Sequence, residues 1–422
     1  MNGKSIALHG IVLLFIVALV GCTGNVTVQP TGTLTALPSP LPTIELTQSP
    51  TAVSSPTPVF VDSRETLSPG MYAVYWNKDT WYIKGLGESD SRILIPSAIS
   101  DLYTEMELSP DGNLVAYSEA GGRILIYDFR TSQIKSFVNP KVTQIMEIVW
   151  ARDGKTLYYL GTRETVWIPD SNLGLYGISF NRDKTYSIID WDNSKFRHDG
   201  LHGLALSENG RWLTFYAPTM SEMMAPDPKY AIYIMDTNCT NDPMSCINST
   251  DMIGDGDMPD WSPDGKLSWV CSSNALCKAD ADSIQSTKQV FLTTDDLGTK
   301  MDAVLFHYLW SPDGRYLAVT VENPKSAYEN VSSEVFFYSF DEKRSIKISN
   351  TPNQLDYVMG WSPDSRYLAF ERNVGYTEFV DDLGIRFVEY DIYIYDVVTG
   401  QIVDQIESAG NRQEFMFFMS IE

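Results

Sequence analysis

Short runs of apolar and polar residues in alternation recur along most of this chain, and one kind of turn punctuates them. Arg315-Tyr316-Leu317-Ala318-Val319-Thr320 is followed, after a loop, by Glu334-Val335-Phe336-Phe337-Tyr338-Ser339-Phe340. Arg366 to Glu371 is followed in the same way by Asp391-Ile392-Tyr393-Ile394-Tyr395-Asp396. Runs of this length, rich in β-branched and aromatic residues, predict strands. A third run precedes each turn, as in Tyr357-Val358-Met359-Gly360-Trp361, and a fourth follows the pair, as in Ser345-Ile346-Lys347-Ile348. The repeating unit is therefore four strands joined by short turns.

The turn reads Trp261-Ser262-Pro263-Asp264-Gly265, Trp310-Ser311-Pro312-Asp313-Gly314 and Trp361-Ser362-Pro363-Asp364-Ser365. Looser copies stand at Leu108 to Gly112, Trp150 to Gly154 and Leu206 to Gly210, and a truncated one at Leu67-Ser68-Pro69-Gly70. Proline presets φ, aspartate can bond nearby backbone N–H groups, and glycine tolerates positive φ. The tryptophan is expected to pack between neighbouring sheets, so these acidic residues read as structural, not catalytic. The motif acids (Asn209 in one copy) fall at 111, 153, 209, 264, 313 and 364, steps of about 50 residues, the period of a four-stranded propeller blade. The expected fold is all-β, a seven-bladed β-propeller; six or eight blades also fit. The last run, Glu414-Phe415-Met416-Phe417-Phe418-Met419-Ser420, resembles a strand that precedes a motif, yet no motif follows it. Such a strand can complete the first blade and close the ring, removing the long open edge that invites aggregation.

The Trp-Ser-Pro-Asp-Gly units followed by Tyr-Leu-Ala strands resemble TolB-type, WD-like propeller repeats over residues 67–422. The same repeats occur in periplasmic TolB and in the propellers of prolyl-oligopeptidase-like enzymes. The resemblance implies the fold and says little of function, because one fold hosts many functions.

The N-terminus carries Lys4, an apolar run from Ile11 to Val20, and then Gly21-Cys22. The run is too short for a spanning helix and reads as a signal peptide, residues 1–21. Its ending resembles the bacterial lipobox, which implies cleavage before Cys22 and lipidation of that sulfur; two or more acyl chains anchor stably. Residues 22–66 are dominated by Thr, Pro and Ser, a composition that favours a disordered stalk. At ~3.1 Å per residue the stalk could reach on the order of 100 Å. The expected address is the extracytoplasmic side of a membrane, held by lipid only.

The net charge is −23 and no basic patch is visible. This argues against nucleic acid, whose binding rests on phosphate neutralisation. Apart from Cys22, four cysteines form two close pairs, and an exported chain can oxidise them. Cys239–Cys246 and Cys271–Cys277 are the expected disulfides; neither spacer suits a structural zinc site.

No Gly-x-Ser-x-Gly elbow, His-Glu-x-x-His motif or phosphate-binding glycine loop occurs. The box Ser262-Pro263-Asp264-Gly265-Lys266-Leu267-Ser268-Trp269 only approximates the sialidase repeat, with its glycine one residue out of place. His198 and His202 could offer two imidazoles to a metal if helical, but Gly200 and Gly203 favour a loop. His307 sits in a strand before a motif. The repeats run to the last strand, leaving no stretch for the α/β-hydrolase domain that propeller peptidases carry. Long segments at about 161–172, 217–229, 322–333 and 372–389 are expected as loops on one face. Their Trp167, Met220, Met223, Met224, Tyr328, Tyr376 and Phe379 suit adaptable contacts, or else fold back over their own blades. The expectation is thus a monomeric, non-enzymatic binding or scaffolding module for a protein, peptide or envelope glycan, without a cofactor. The alternative is an extracytoplasmic hydrolase or polysaccharide lyase with its site in the channel, where His198, His202 and His307 would contribute.

Overall fold

The computed structural model describes residues 67–421, apart from 78–79, 96–104, 120, 164–172, 191–200, 219–229, 242–244, 247–249, 300–302, 324–331, 350–353, 381–385 and 409–412. Seven four-stranded antiparallel sheets follow one another around a ring. In blades 2 to 7 the strands lie in chain order from the channel outwards. The inner strands are Met106–Leu108, Gln144–Trp150, His202–Leu206, Asp257–Trp261, Val304–Trp310 and Asp356–Trp361. Blade 1 takes its inner strand, Gln413–Ile421, from the far end of the chain, and this strand pairs with Gly70–Asn77. Gly70 stands opposite Ile421 and Asn77 opposite Gln413. Consecutive inner strands touch all the way round, so the ring is closed. Seven blades and closure by the C-terminal strand are as the spacing predicts.

The recurring turn is locked by its own side chains. Ser311 Oγ–H donates to Asp313 Oδ1 at 2.8 Å and accepts the Tyr316 N–H at 2.9 Å. The Gly314 N–H donates to the Ser311 carbonyl at 2.9 Å, with Gly314 at φ +74°. Ser109, Ser207 and Ser362 make the same pair of bonds. Blade 7 has Ser365 at φ 61° where the other full turns have glycine, and its Oγ accepts the Asp313 N–H of blade 6 at 3.0 Å.

The motif tryptophans pack between sheets as expected, and their indoles also tie blades together. Trp150 Nε1–H donates to the Glu107 carbonyl (3.1 Å), Trp261 to Ala205 (3.3 Å) and Trp361 to Leu309 (3.1 Å). In each case the last residue of one inner strand bonds the penultimate residue of the preceding one. Trp310 differs, donating to Ser268 Oγ at 2.9 Å. Between blades 6 and 7, Leu309, Val335 and Phe337 pack with Val358, Trp361, Leu368 and Phe370, all buried. Each such side chain contributes about 1.5–3 kcal/mol of burial. Lys84 of blade 1 meets Asp404 of blade 7 at 2.5 Å, both side chains 9% exposed, which clasps the seam where the ring closes.

The two cysteine pairs stand together as expected, Cys239 with Cys246 at a Cα separation of 4.7 Å and Cys271 with Cys277 at 5.6 Å. One expectation of a loop is corrected. Residues 372–389 are mostly ladder, because Tyr367–Val380 pairs with Arg386–Asp396 as a long hairpin. The ladder of Asn373, Gly375 and Tyr376 with Tyr390, Glu389 and Val388 continues the strand beyond the blade.

Candidate functional site

The strand order repeats from blade to blade, so the inner strands run the same way and their starts gather at one mouth of the channel, with indole bonds levelling the ends at three seams. Glu105, Glu107, Glu147, Asp257, Asp260, Asp356 and Glu414 lie on or next to these strands, with His202 and His307. None of the seven strands carries a lysine or arginine. In six blades the pairing of the inner strand with its neighbour slips by a bulge, close to Glu147, His202, Asp257 and His307. Bulges re-aim side chains and recur beside functional sites.

Around blades 3 to 6 the bulges assemble Glu147, His202, Tyr216 and Asp257. His202 is paired with Tyr216 across the sheet, their rings 5.5 Å apart and tilted by 32°. Tyr230 meets Tyr216 edge-on at 5.3 Å. Gly203 makes the crossing possible: it sits at φ +65°, and a Cβ there would stand 2.5 Å from the Tyr216 ring. The N–H groups of Gly203 and Leu204 donate to the two Glu147 oxygens of the preceding blade at 2.9 and 2.7 Å. Burial first, then the charges of Glu147 and Asp257, push the Tyr216 hydroxyl well above its usual range, so it stays a proton donor. Asp257 follows Gly256, whose own Cβ would fall 2.4 Å from the Val270 carbonyl. The Asp257 Oδ1 is shielded from solvent and has no hydrogen-bond partner. Burial raises this carboxyl to about 6. The hydroxyl of Tyr308 from blade 6 closes this side, donating to the Met258 carbonyl at 3.0 Å or Ser268 Oγ at 3.1 Å.

Across the mouth, blades 1 to 3 present a second group. Glu107 accepts the Trp150 N–H at 3.0 Å. Glu105 is 8% exposed, and its carboxyl has no hydrogen-bond partner among the described residues. Burial and then the charges of Glu147, Glu414 and Glu107 raise it well above the usual carboxylate range. Asp356 is different, being neutralised by Arg372 through Nε–Oδ1 and Nη2–Oδ2 contacts of 2.8 and 3.2 Å.

Counting back three or four residues from each turn would have found Glu105, Glu147, His202, Asp257 and His307 in the sequence. Of the expected site residues, His202 lies in the mouth. His198, Trp167, Met220, Met223, Met224 and Tyr328 lie outside the described residues, as do Cys22 and the stalk. Tyr376 and Phe379 fall on the backbone of the long hairpin, their side chains outside what is described. His307 is half-buried in its strand. The strands flanking 164–172, 219–229 and 324–331 end at this same mouth. Among the described residues no three His, Cys, Asp or Glu side chains are grouped to hold a metal ion, and no helix is long and apolar enough to cross a membrane.

None of the family models matches the chain, and no curated protein matches it in sequence. Among solved structures it is similar to a prolyl endopeptidase, with a TM-score of 0.52 and 12% identity over 82% of this chain and 50% of that one. It is similar to puromycin hydrolase, with a TM-score of 0.50 and 10% identity over 84% and 56% of the two chains. A TolB-type protein from Agrobacterium tumefaciens gives 0.43 and 14% over 71% and 96%. The chain spans about half the length of the prolyl endopeptidase. The likenesses to the prolyl endopeptidase and to puromycin hydrolase are likenesses of fold, in agreement with the propeller described above. These two also correct the expectation of a non-enzymatic module: both structures are enzymes, so this architecture is no argument against catalysis.

Proposed function

We propose that this protein is an extracytoplasmic hydrolase, tethered to the membrane through lipidated Cys22 and the 22–66 stalk, that works as a monomer at the mouth of its own channel. The observation that carries this reading is Asp257, a carboxyl raised to about 6 with a shielded, unpartnered Oδ1, whose charge is felt by the Tyr216 hydroxyl. Buried carboxyls without partners cost stability, and sites that keep them are candidates for proton transfer. A group that titrates near neutrality can take a proton from an attacking water and return it to the leaving group. Tyr216, which holds its proton, can donate a hydrogen bond to the oxygen on which charge develops. The fold of the two hydrolytic enzymes supports a catalytic propeller without specifying its substrate.

The test is turnover by the full chain on panels of fluorogenic peptides and glycosides, from pH 4 to 9. The expected result is hydrolysis with one limb of the pH profile near 6, and a loss of about 10²–10⁴-fold in Asp257→Asn. Absence of turnover on every panel, or an unchanged rate in Asp257→Asn, would sink the proposal.

A further inference from the structure

We propose that the part of the mouth where blades 1, 2 and 3 meet is a subsite for an organic cation, the guanidinium or ammonium group of a peptide, with Glu105 as the receiving carboxylate. The inference rests on the channel reading above and names the class of ligand it takes. Glu105 is the central observation. It is 8% exposed, it accepts no side-chain or backbone donor among the described residues, and the charges that act on its carboxyl are those of Glu147 of blade 3, Glu414 of blade 1 and Glu107 two residues along. Ser118, the polar neighbour from its own sheet, is engaged with the Glu105 backbone: its Oγ accepts the Glu105 N–H at 2.9 Å, and its N–H donates to the Glu105 carbonyl at 2.9 Å.

Asp257 apart, the other acidic side chains that the inner strands gather near Glu105 are matched from within the fold. Glu147 has two N–H donors, Glu107 has the Trp150 N–H, Glu371 has the Phe415 N–H and Asp356 has Arg372. Glu105 alone among these is left without such a donor. The missing charge must come from outside the wall, since the inner strands supply no lysine or arginine. A bare metal ion fits poorly, because these carboxylates are not clustered to share one. A guanidinium, with five N–H donors spread over a plane, or an ammonium on a flexible stem spans a wider set of acceptors. The overall charge of −23 adds long-range attraction for a cation approaching the mouth.

Receiving a cation favours the ionised carboxylate, so binding should expel the Glu105 proton. The experiment is isothermal titration of the full chain at pH 7 in two buffers of different ionisation enthalpy. The probes are benzoyl-arginine amide, its neutral isostere benzoyl-citrulline amide, and spermidine. The expected result is that the arginine probe binds at least tenfold more tightly than citrulline, with proton release. Glu105→Gln loses that preference and the proton release, and Glu414→Gln weakens the arginine probe by a smaller factor. Glu105→Gln is expected to fold, since the amide has nearly the size and shape of the protonated carboxyl; circular dichroism checks this, and Glu414→Gln is the second variant. Equal affinity for arginine and citrulline, or an arginine preference that survives in Glu105→Gln, overturns the proposal. Spermidine binding better than the arginine probe overturns the peptide as the source. Arginine preference without any turnover keeps the subsite and sinks the hydrolase; equal turnover of cationic and neutral substrates does the reverse.

Discussion

Replacing Asp257 with Asn should stabilise the protein at neutral pH, and the size of the effect follows from the site. The carboxyl stands at about 6 in the folded chain against 3.8 in an exposed one. The shift is about 2 pH units, and each is worth ~1.36 kcal/mol, so the folded state gives up as much as about 3 kcal/mol to keep this group. The half-exposed edge of the residue makes this an upper value. The sign is fixed by linkage. Between pH 3.8 and about 6 the folded chain holds a proton that the unfolded chain has released, so stability falls as pH rises through that window and the deficit is complete above it. Asn carries the same unpartnered oxygen at Oδ1 but does not titrate. Urea unfolding of both proteins at intervals from pH 3.5 to 8 should show no gap at the acid end. The gap should grow in favour of Asp257→Asn up to about pH 6 and hold steady beyond. A difference that stays flat across the range would refute the reasoning, because the carboxyl would then not be titrating in a buried site.

Two further predictions test how the ring is held. Arg372→Met should destabilise by about 3–5 kcal/mol in urea, since Asp356, whose side chain is 0% exposed, is left buried without its counter-charge; adding Asp356→Asn should recover much of that loss. Trp361→Phe keeps the ring between blades but removes the donor to the Leu309 carbonyl, so a loss of about 1–3 kcal/mol beyond that of a surface control is expected.

Much of the architecture was legible from the sequence by itself, because it is written in local chemistry. A Ser-Pro-Asp-Gly turn needs its serine, aspartate and glycine close in sequence, and the bonds that lock the turn, from Ser311 to Asp313, Gly314 and Tyr316, are made within the stretch 311–316. Turns that are self-contained recur at a readable period, and period gives blade number; the lone strand ending at Ile421 gives closure. The hairpin cysteines follow for the same reason. The mouth of the channel is of another kind. Glu105, Glu147, His202 and Asp257 are separated by tens of residues, belong to four blades, and come to one mouth only because the closed ring sets the inner strands side by side. The burial of Glu105 and the unpartnered Oδ1 of Asp257 are properties of what surrounds them, which no spacing along the chain records. Composition marks the aromatic and methionine residues of the long segments more loudly than it marks a single acid at the start of a strand. Local turn chemistry thus set the ring, and tertiary structure alone decided which of its acidic residues were left without a counter-charge.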